Sequence, residues 1–406
     1  MIKRSIMIFF VIAGFVLTLG GCWDLREVEE LSIIHGMAID TTQNGGVRVI
    51  FQVINTAAES KIGGGRSLLF DKAYGNRVIE ADSLYAAIRQ LPLETVTQRF
   101  FAHTEVVIVS EEFARNRGFR EILDYLERTP QIRPSMWILV GRGDLVSIMD
   151  TPEHLSPIPT RRISDMLRHP ERVSSYAALR LGDFTKILQS KGAQPFTALI
   201  ETCPSLSFSE ESENGILGGE VPEPANLVVI NGTAVFKEDN MIGWLDQQES
   251  RGLLWLLGKI KYGKIQFPIP GSEGHTMATE ILTAKSTVRP AVKNGHVVMM
   301  VKIIASTSAE EVTTSVPLDK SADIKRLEEA QNQAVIREVR AALAKAQQQY
   351  QVDVFGFGEA IHRHYPAQWQ QMKDSWPDIF PGVEVQLVVK TSIHHTNLIS
   401  RSLDIE

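Results

Sequence analysis

Cysteine is nearly absent from this chain, with Cys22 and Cys203 the only two. They can form at most one disulfide, which excludes a scaffold stapled by several. Long apolar runs are absent after residue 21, so no later stretch is long enough to span a bilayer. An excess of basic charge is absent too. Lys and Arg number 42 against 48 Asp and Glu, for a formal net charge of −6. Because Lys3 and Arg4 lie in the first 21 residues, the remainder is more acidic still. Phosphate neutralisation needs clustered Lys and Arg, so nucleic-acid binding is disfavoured. For the same reason, attachment to an anionic membrane surface must be covalent or hydrophobic. Catalytic signatures are missing as well. There is no dinucleotide-binding glycine fingerprint, no His-Glu-x-x-His zinc motif and no Gly-x-Ser-x-Gly elbow. What remains is a composition ordinary for folded proteins, 44% hydrophobic and 22% charged, over 406 residues. Disorder along most of the chain is excluded, and the length favours two or three domains.

The N-terminus carries the most specific local pattern. Lys3 and Arg4 precede an almost wholly apolar run from Ile6 to Leu19, too short for a spanning helix and flanked as an export signal is. Leu19-Gly20-Gly21-Cys22 then resembles the lipobox of bacterial lipoproteins, with cleavage between Gly21 and Cys22 and a lipid on the Cys22 thiol. An ordinary cleaved signal or an uncleaved anchor are the alternatives. With Cys22 lipidated, Cys203 is left unpaired. Its neighbours Glu201, Thr202 and Pro204 include no cation to activate it.

Periodicity places the elements. Leu31–Ile34 with Gly36–Asp40, and Val47–Ile54, read as strands across the turn Asn44-Gly45-Gly46, whose residues tolerate positive φ. Asp82–Leu91 is a short amphipathic helix, and Glu105–Val109 an apolar strand covered on both faces. A helical region from Glu111 to Arg128 breaks near Gly118, and Ser135–Val140 is another strand. Gly63-Gly64-Gly65 is a loop. Phe208–Ala225 is rich in Ser, Glu, Gly and Pro and reads as an exposed linker. Beyond it, Leu227–Ile230 and Thr233–Phe236 read as a strand pair around Asn231-Gly232, and Asp246–Leu257 as a helix. Ala278–Arg289 and Gly295–Ser306 form a hairpin. Asp319–Tyr350 is the longest helix signal, with a face suited to a sheet. A helix at Glu359–Trp369 should split at Pro366, and Val383–Val389 is a last strand.

These elements predict an α+β fold of mixed α/β layers in more than one domain. A mixed sheet flanked by helices occupies the N-terminal half, and an antiparallel sheet packed against long helices the C-terminal half. The boundaries are 1–21 for the signal, 22–205 for the first domain, 206–225 for the linker and 226–406 for the second. Residues 226–275 are a possible separate middle unit. Glu359, His362, His364, His394 and His395 form the densest polar group. Glu359 and His362 share a helix face at i, i+3, but the second such pair that a di-metal bundle requires is missing.

Six stretches, in order, resemble the Ger(x)C family, the lipoprotein C subunits of spore germinant receptors. They are Gly21–Leu31 (containing Cys22, Trp23 and Asp24), His103–Val109, Ile122–Arg128, Gln131–Arg133, Asp353–Glu359 and Phe380–Val385. The resemblance implies a non-catalytic, cofactor-free scaffold at the outer face of the spore inner membrane. Its partners would be the integral-membrane A and B subunits. Trp23, Asp24, His103, Arg128 and Arg133 are the candidate interaction residues. Each also has a plainer role open to it: Trp23 and Asp24 at the membrane interface, His103 as a hydrogen-bonded histidine before a strand, and the two arginines as carboxylate partners or helix C-terminal charges. A solute-binding lipoprotein with a ligand between its halves is the alternative reading.

Overall fold

The computed structural model describes residues 4, 6, 31–55, 72–94, 98–151, 156–168, 174–204, 226–293, 295–312 and 321–395. Gly21 to Asp24, the triple glycine at 63–65 and the linker at 206–225 lie outside these.

The predicted turn at Asn44-Gly45-Gly46 joins β1 (Leu31–Thr41) to β2 (Val47–Ile54), with Thr41 opposite Val47. β3 (Tyr74–Ala81) pairs with the outer edge of β2. The next helix, α1 (Leu84–Glu94), buries Leu84, Ala87, Ile88 and Leu91, the face that periodicity predicts. Then come β4 (Gln98–Phe100), β5 (Val106–Ser110), α2 (Glu111–Asn116), α3 (Arg120–Arg128), β6 (Trp137–Arg142) and α4 (Leu145–Met149). The break between α2 and α3 falls at Gly118, as expected. α5 (Pro159–Arg168), β7 (Leu179–Arg180), α6 (Leu181–Leu188) and β8 (Phe196–Pro204) complete the first half.

The second half begins with β9 (Asn226–Lys237), β10 (Asn240–Leu245) and α7 (Gln247–Leu256). β11 (Lys264–Pro268), β12 (Thr276–Lys293) and β13 (His296–Val312) follow. The long helix α8 (Ser321–Ala344) runs on into a π-helical turn at Lys345–Tyr350. It is followed by α9 (Phe357–His364), α10 (Pro366–Met372), α11 (Trp376–Ile379) and β14 (Glu384–His395). Pro366 separates α9 from α10, as predicted.

The larger sheet has the order β10-β9-β8-β6-β5-β1-β2-β3, with β4 on β1 and β7 on β6. Its centre (β1, β5, β6, β8) is parallel and its flanks are antiparallel. A parallel centre must be covered on both faces, and all five residues of β5 are buried. Val107 and Val109 face the layer of Phe113, Phe119 and Ile122, while Val106 and Ile108 face Leu145, Ile148 and Ile163.

Two details depart from the sequence reading. Asn231-Gly232 is not a turn, because β9 runs straight through it. Thr233 pairs with Ala198 and Ile230 with Ile200, so Asn231 and Gly232 together oppose Leu199 in a β-bulge. Gly232 sits at φ +91°, and a Cβ there would lie 2.2 Å from the carbonyl oxygen of Leu245. The residue types suited to a turn serve a bulge instead. The reversal comes later, at Glu238-Asp239, with Glu238 at φ 55°. The smaller sheet, β11-β12-β13-β14, is antiparallel as expected except at its last strand, which pairs parallel with β13. The connection from β13 through α8 to α11 is long enough for the crossover that parallel pairing requires.

The two sheets share one core. Phe119, Phe184 and Phe236 meet with ring centroids 4.7 to 5.3 Å apart, Phe236 arriving from β9. From there the apolar cluster continues through Leu253, Trp255 and Val339 to Met277 and Val301. Asp246 and Glu249 form a capping box at the start of α7, and the Arg251 and Trp255 side chains both donate to Glu338 on α8 (2.9 and 2.8 Å). A backbone seam joins the halves further on. Gln194 N donates to Asp353 O at 2.7 Å and Glu359 N to Gly192 O at 3.1 Å, at an approach of Gly192 to Gly358 too close for any Cβ.

Candidate functional site

Parallel pairing sets the N-termini of β5 and β6 side by side, so the residues leading into them share one rim. Backbone bonds hold that rim. Glu105 N donates to His35 O at 2.9 Å, and Trp137 N to Glu105 O at 2.8 Å. The Thr104 hydroxyl donates to Ile34 O at 3.0 Å. Behind the rim lies a recess of about 150 Å³ that brings His103 and Arg133 together with Glu105, Trp137, Arg168 and Arg180.

Arginine dominates the recess. The Arg168 Nη2 donates to both Glu105 oxygens (2.7 and 2.8 Å), and Nη1 lies 3.1 Å from Asp165. The guanidinium of Arg180 stacks 4.2 Å above the Trp137 ring and donates to Ser135 O. Arg133 is exposed at the rim, and its side chain has no hydrogen bond or ion pair among the described residues. The exposed His103 ring lies 5.6 Å from that of Phe100. Partial burial pushes the Glu105 carboxyl up, yet a Ser164 hydrogen bond and the charges of His35 and Arg168 hold it below the usual carboxylate range. Glu105 is thus an ionised anchor for Arg168. The remaining positive charge at the rim suits a carboxylate- or phosphate-sized anion, because guanidinium groups bind such groups as planar forks.

The other expected residues lie apart from it. Arg128 ends α3 and pairs with Asp124 one turn back at 2.9 Å, both exposed. Cys203 is a half-buried thiol on β8, unpaired among the described residues. The polar group near the C-terminus does not converge. Glu359 accepts from Ser190 at 2.6 Å, and the His362 ring lies over Trp369 at 6.0 Å. The Nδ1 of His364 bonds Ala360 O at 2.9 Å, and the Nε2 of His394 bonds Ser392 at 2.8 Å. Among the described residues, no group of three His, Cys, Asp or Glu side chains is placed to hold a metal ion, and no helix is long and apolar enough to cross a membrane. Arg168 and Arg180 carry no motif and are missed by sequence reading. Only the placement of Glu105 just before an apolar strand offered a hint.

The fold and its rim define a two-sheet α+β protein with an arginine-rich recess. Residues 24–202 match the family model described as spore germination protein N-terminal domain. Residues 231–397 match that described as spore germination B3/GerAC like, C-terminal. The chain therefore belongs to the GerAC-like family of spore germination proteins. Among its relatives in Bacillus subtilis (strain 168), spore germination protein KC is 25% identical, over 98% of this chain and 97% of its own. Spore germination protein YndF is 26% identical over 97% of each chain, and spore germination protein B3 23% identical over 96% of each. The crystal structure of the GerBC protein superposes with a TM-score of 0.55 at 19% identity, covering 91% of this chain and 99% of that one. That likeness is one of fold.

Proposed function

We propose that the chain is the lipid-anchored, extracytoplasmic C subunit of a spore nutrient germinant receptor. Cys22 carries the lipid and holds the protein at the outer face of the spore inner membrane. There it acts with the integral-membrane A and B subunits as a non-catalytic scaffold. The observation that carries this reading is the pair of family matches, which run in order through nearly the whole chain after residue 23. Residues 22–205 and 226–406 are the two units of the scaffold, joined by 206–225, with β9 and β10 of the second unit completing the larger sheet of the first. The arginine-lined recess, with His103 and Arg133 at its mouth, is the docking point for an acidic segment of a membrane subunit. Tethering by lipid raises the effective concentration of the subunits for one another, so a modest contact is enough.

Deletion tests the reading. Spores without the chain should fail to germinate on the cognate nutrient and germinate normally by nutrient-independent routes. Normal nutrient germination, with failure instead to grow on some solute, would replace this reading with that of a solute-binding lipoprotein.

A further inference from the structure

Where the two halves meet beside the Gly192–Gly358 approach, a cleft of about 380 Å³ opens. Its walls mix apolar and polar side chains, and the apolar ones come from both sides of the seam. Leu179 and Phe196 belong to the larger sheet, Val288 to β12, and Phe355 to the loop before α9. Three charged side chains also line it: Lys259 just beyond α7, and Glu359 and Arg363 on α9. One oxygen of Glu359 is taken by the Ser190 hydroxyl at 2.6 Å, and that hydroxyl in turn accepts from Gly192 N at 3.0 Å. The side chains of Lys259 and Arg363 have neither a hydrogen bond nor an ion pair among the described residues. Although Lys259 is exposed by area, protein crowds it closely enough that burial lowers its pKa despite the attraction of Asp183.

A cleft that joins apolar side chains to two cationic side chains without hydrogen-bonded or ion-paired protein partners has a definite chemical complement. The volume falls in the range of small-molecule sites and exceeds the ~150 Å³ that encloses a benzene ring. A neutral hydrocarbon would leave both cations unsatisfied, and a small inorganic anion would leave the apolar walls wet. We propose that this cleft binds a small carboxylic acid with an apolar body, its carboxylate taken by Lys259 and Arg363 and its body by Leu179, Phe196, Val288 and Phe355. The site is independent of the arginine recess and of the membrane anchor. Because both halves wall it, an occupant strengthens the seam.

Thermal unfolding of the full chain in detergent tests the assignment, with 3-phenylpropanoate, hexanoate and 4-methylpentanoate as probes. Each is compared with its alcohol at the same concentration. At least one acid should raise the melting temperature by several degrees through mass action, and its alcohol should not. Lys259→Met and Arg363→Met should each weaken the Kd of that acid by about tenfold, the loss of one charge-assisted contact. The double variant should abolish the shift. Arg363 is exposed at the end of α9, so its variant folds even if the Lys259 variant does not. No shift with any of the three acids, an equal shift with the alcohol, or an undiminished shift in Arg363→Met would overturn the proposal.

Discussion

Asp353 is the most heavily used buried acid in the protein, and its replacement gives a quantitative test of how the second half is held. The residue is 3% exposed. Its Oδ1 accepts from Phe355 N and Phe357 N (3.1 and 3.2 Å), and its Oδ2 from Gly358 N and Trp376 Nε1 (2.9 and 3.1 Å). Burial disfavours the charge and all four donors favour it. Burial prevails and pushes the pKa up to about 6. The native state therefore binds this proton more readily than the unfolded chain does. The contribution is most favourable below the ordinary aspartate range, declines as pH rises towards 6, and is lost above it. The span corresponds to about 3 kcal/mol. Asp353→Asn removes the titration. It also turns an NH2 towards two N–H donors, leaving at least one buried donor unpaired, at a cost of about 1–3 kcal/mol. Urea unfolding of wild type and variant at pH 4.5, 5.5 and 7.0 should show the variant less stable throughout. Its deficit should shrink as pH rises. A deficit that grows with pH would mean that the four donors outweigh burial, and the reasoning would fail.

Gly252→Ala should destabilise the protein by about 1–3 kcal/mol, read as a lower melting temperature, because its Cβ would lie 2.1 Å from Glu338 O and 2.7 Å from the Ala342 Cβ on α8. Cys22→Ala should yield full-length precursor that takes up no labelled palmitate, and uptake by that variant would overturn the anchor assignment. Arg133→Glu should leave the unfolding free energy within about 0.5 kcal/mol of wild type, as for an exposed, unpaired side chain. It should nonetheless reduce co-purification of the membrane subunits, whereas unchanged co-purification would count against the recess as a docking point.

Local rules made much of the fold readable. The turn at Asn44-Gly45-Gly46, the fully buried β5, the helix break at Gly118 and the split at Pro366 each follow from a residue acting on its immediate neighbours. Failures arose where one residue type serves two geometries. Asn231-Gly232 suits a turn and a bulge equally, and only the pairing of β9 with β8 decides between them. The parallel direction of β14 was equally illegible, since a strand's own residues do not encode its partner. His103 and Arg133 stood out within matched stretches. Arg168 and Arg180 reach the same recess from α5 and β7, and no short-range pattern links those segments to its rim. The seam is the same kind of case, because the meeting of Gly192 with Gly358 is a property of the assembled halves.

The pairing of β8 with β9 also bears on how such a chain can be made. A polypeptide delivered N-terminus first presents β1 through β8 well before β9 and β10 exist to close the sheet. Until about residue 245 has emerged, β8 carries a row of unsatisfied backbone groups, and Phe119 and Phe184 await Phe236. Maturation is therefore vectorial but late-closing. The first half waits in an adhesive, protease-sensitive state for a strand encoded beyond the segment at 206–225, and the pace of delivery through that segment governs how long the wait lasts.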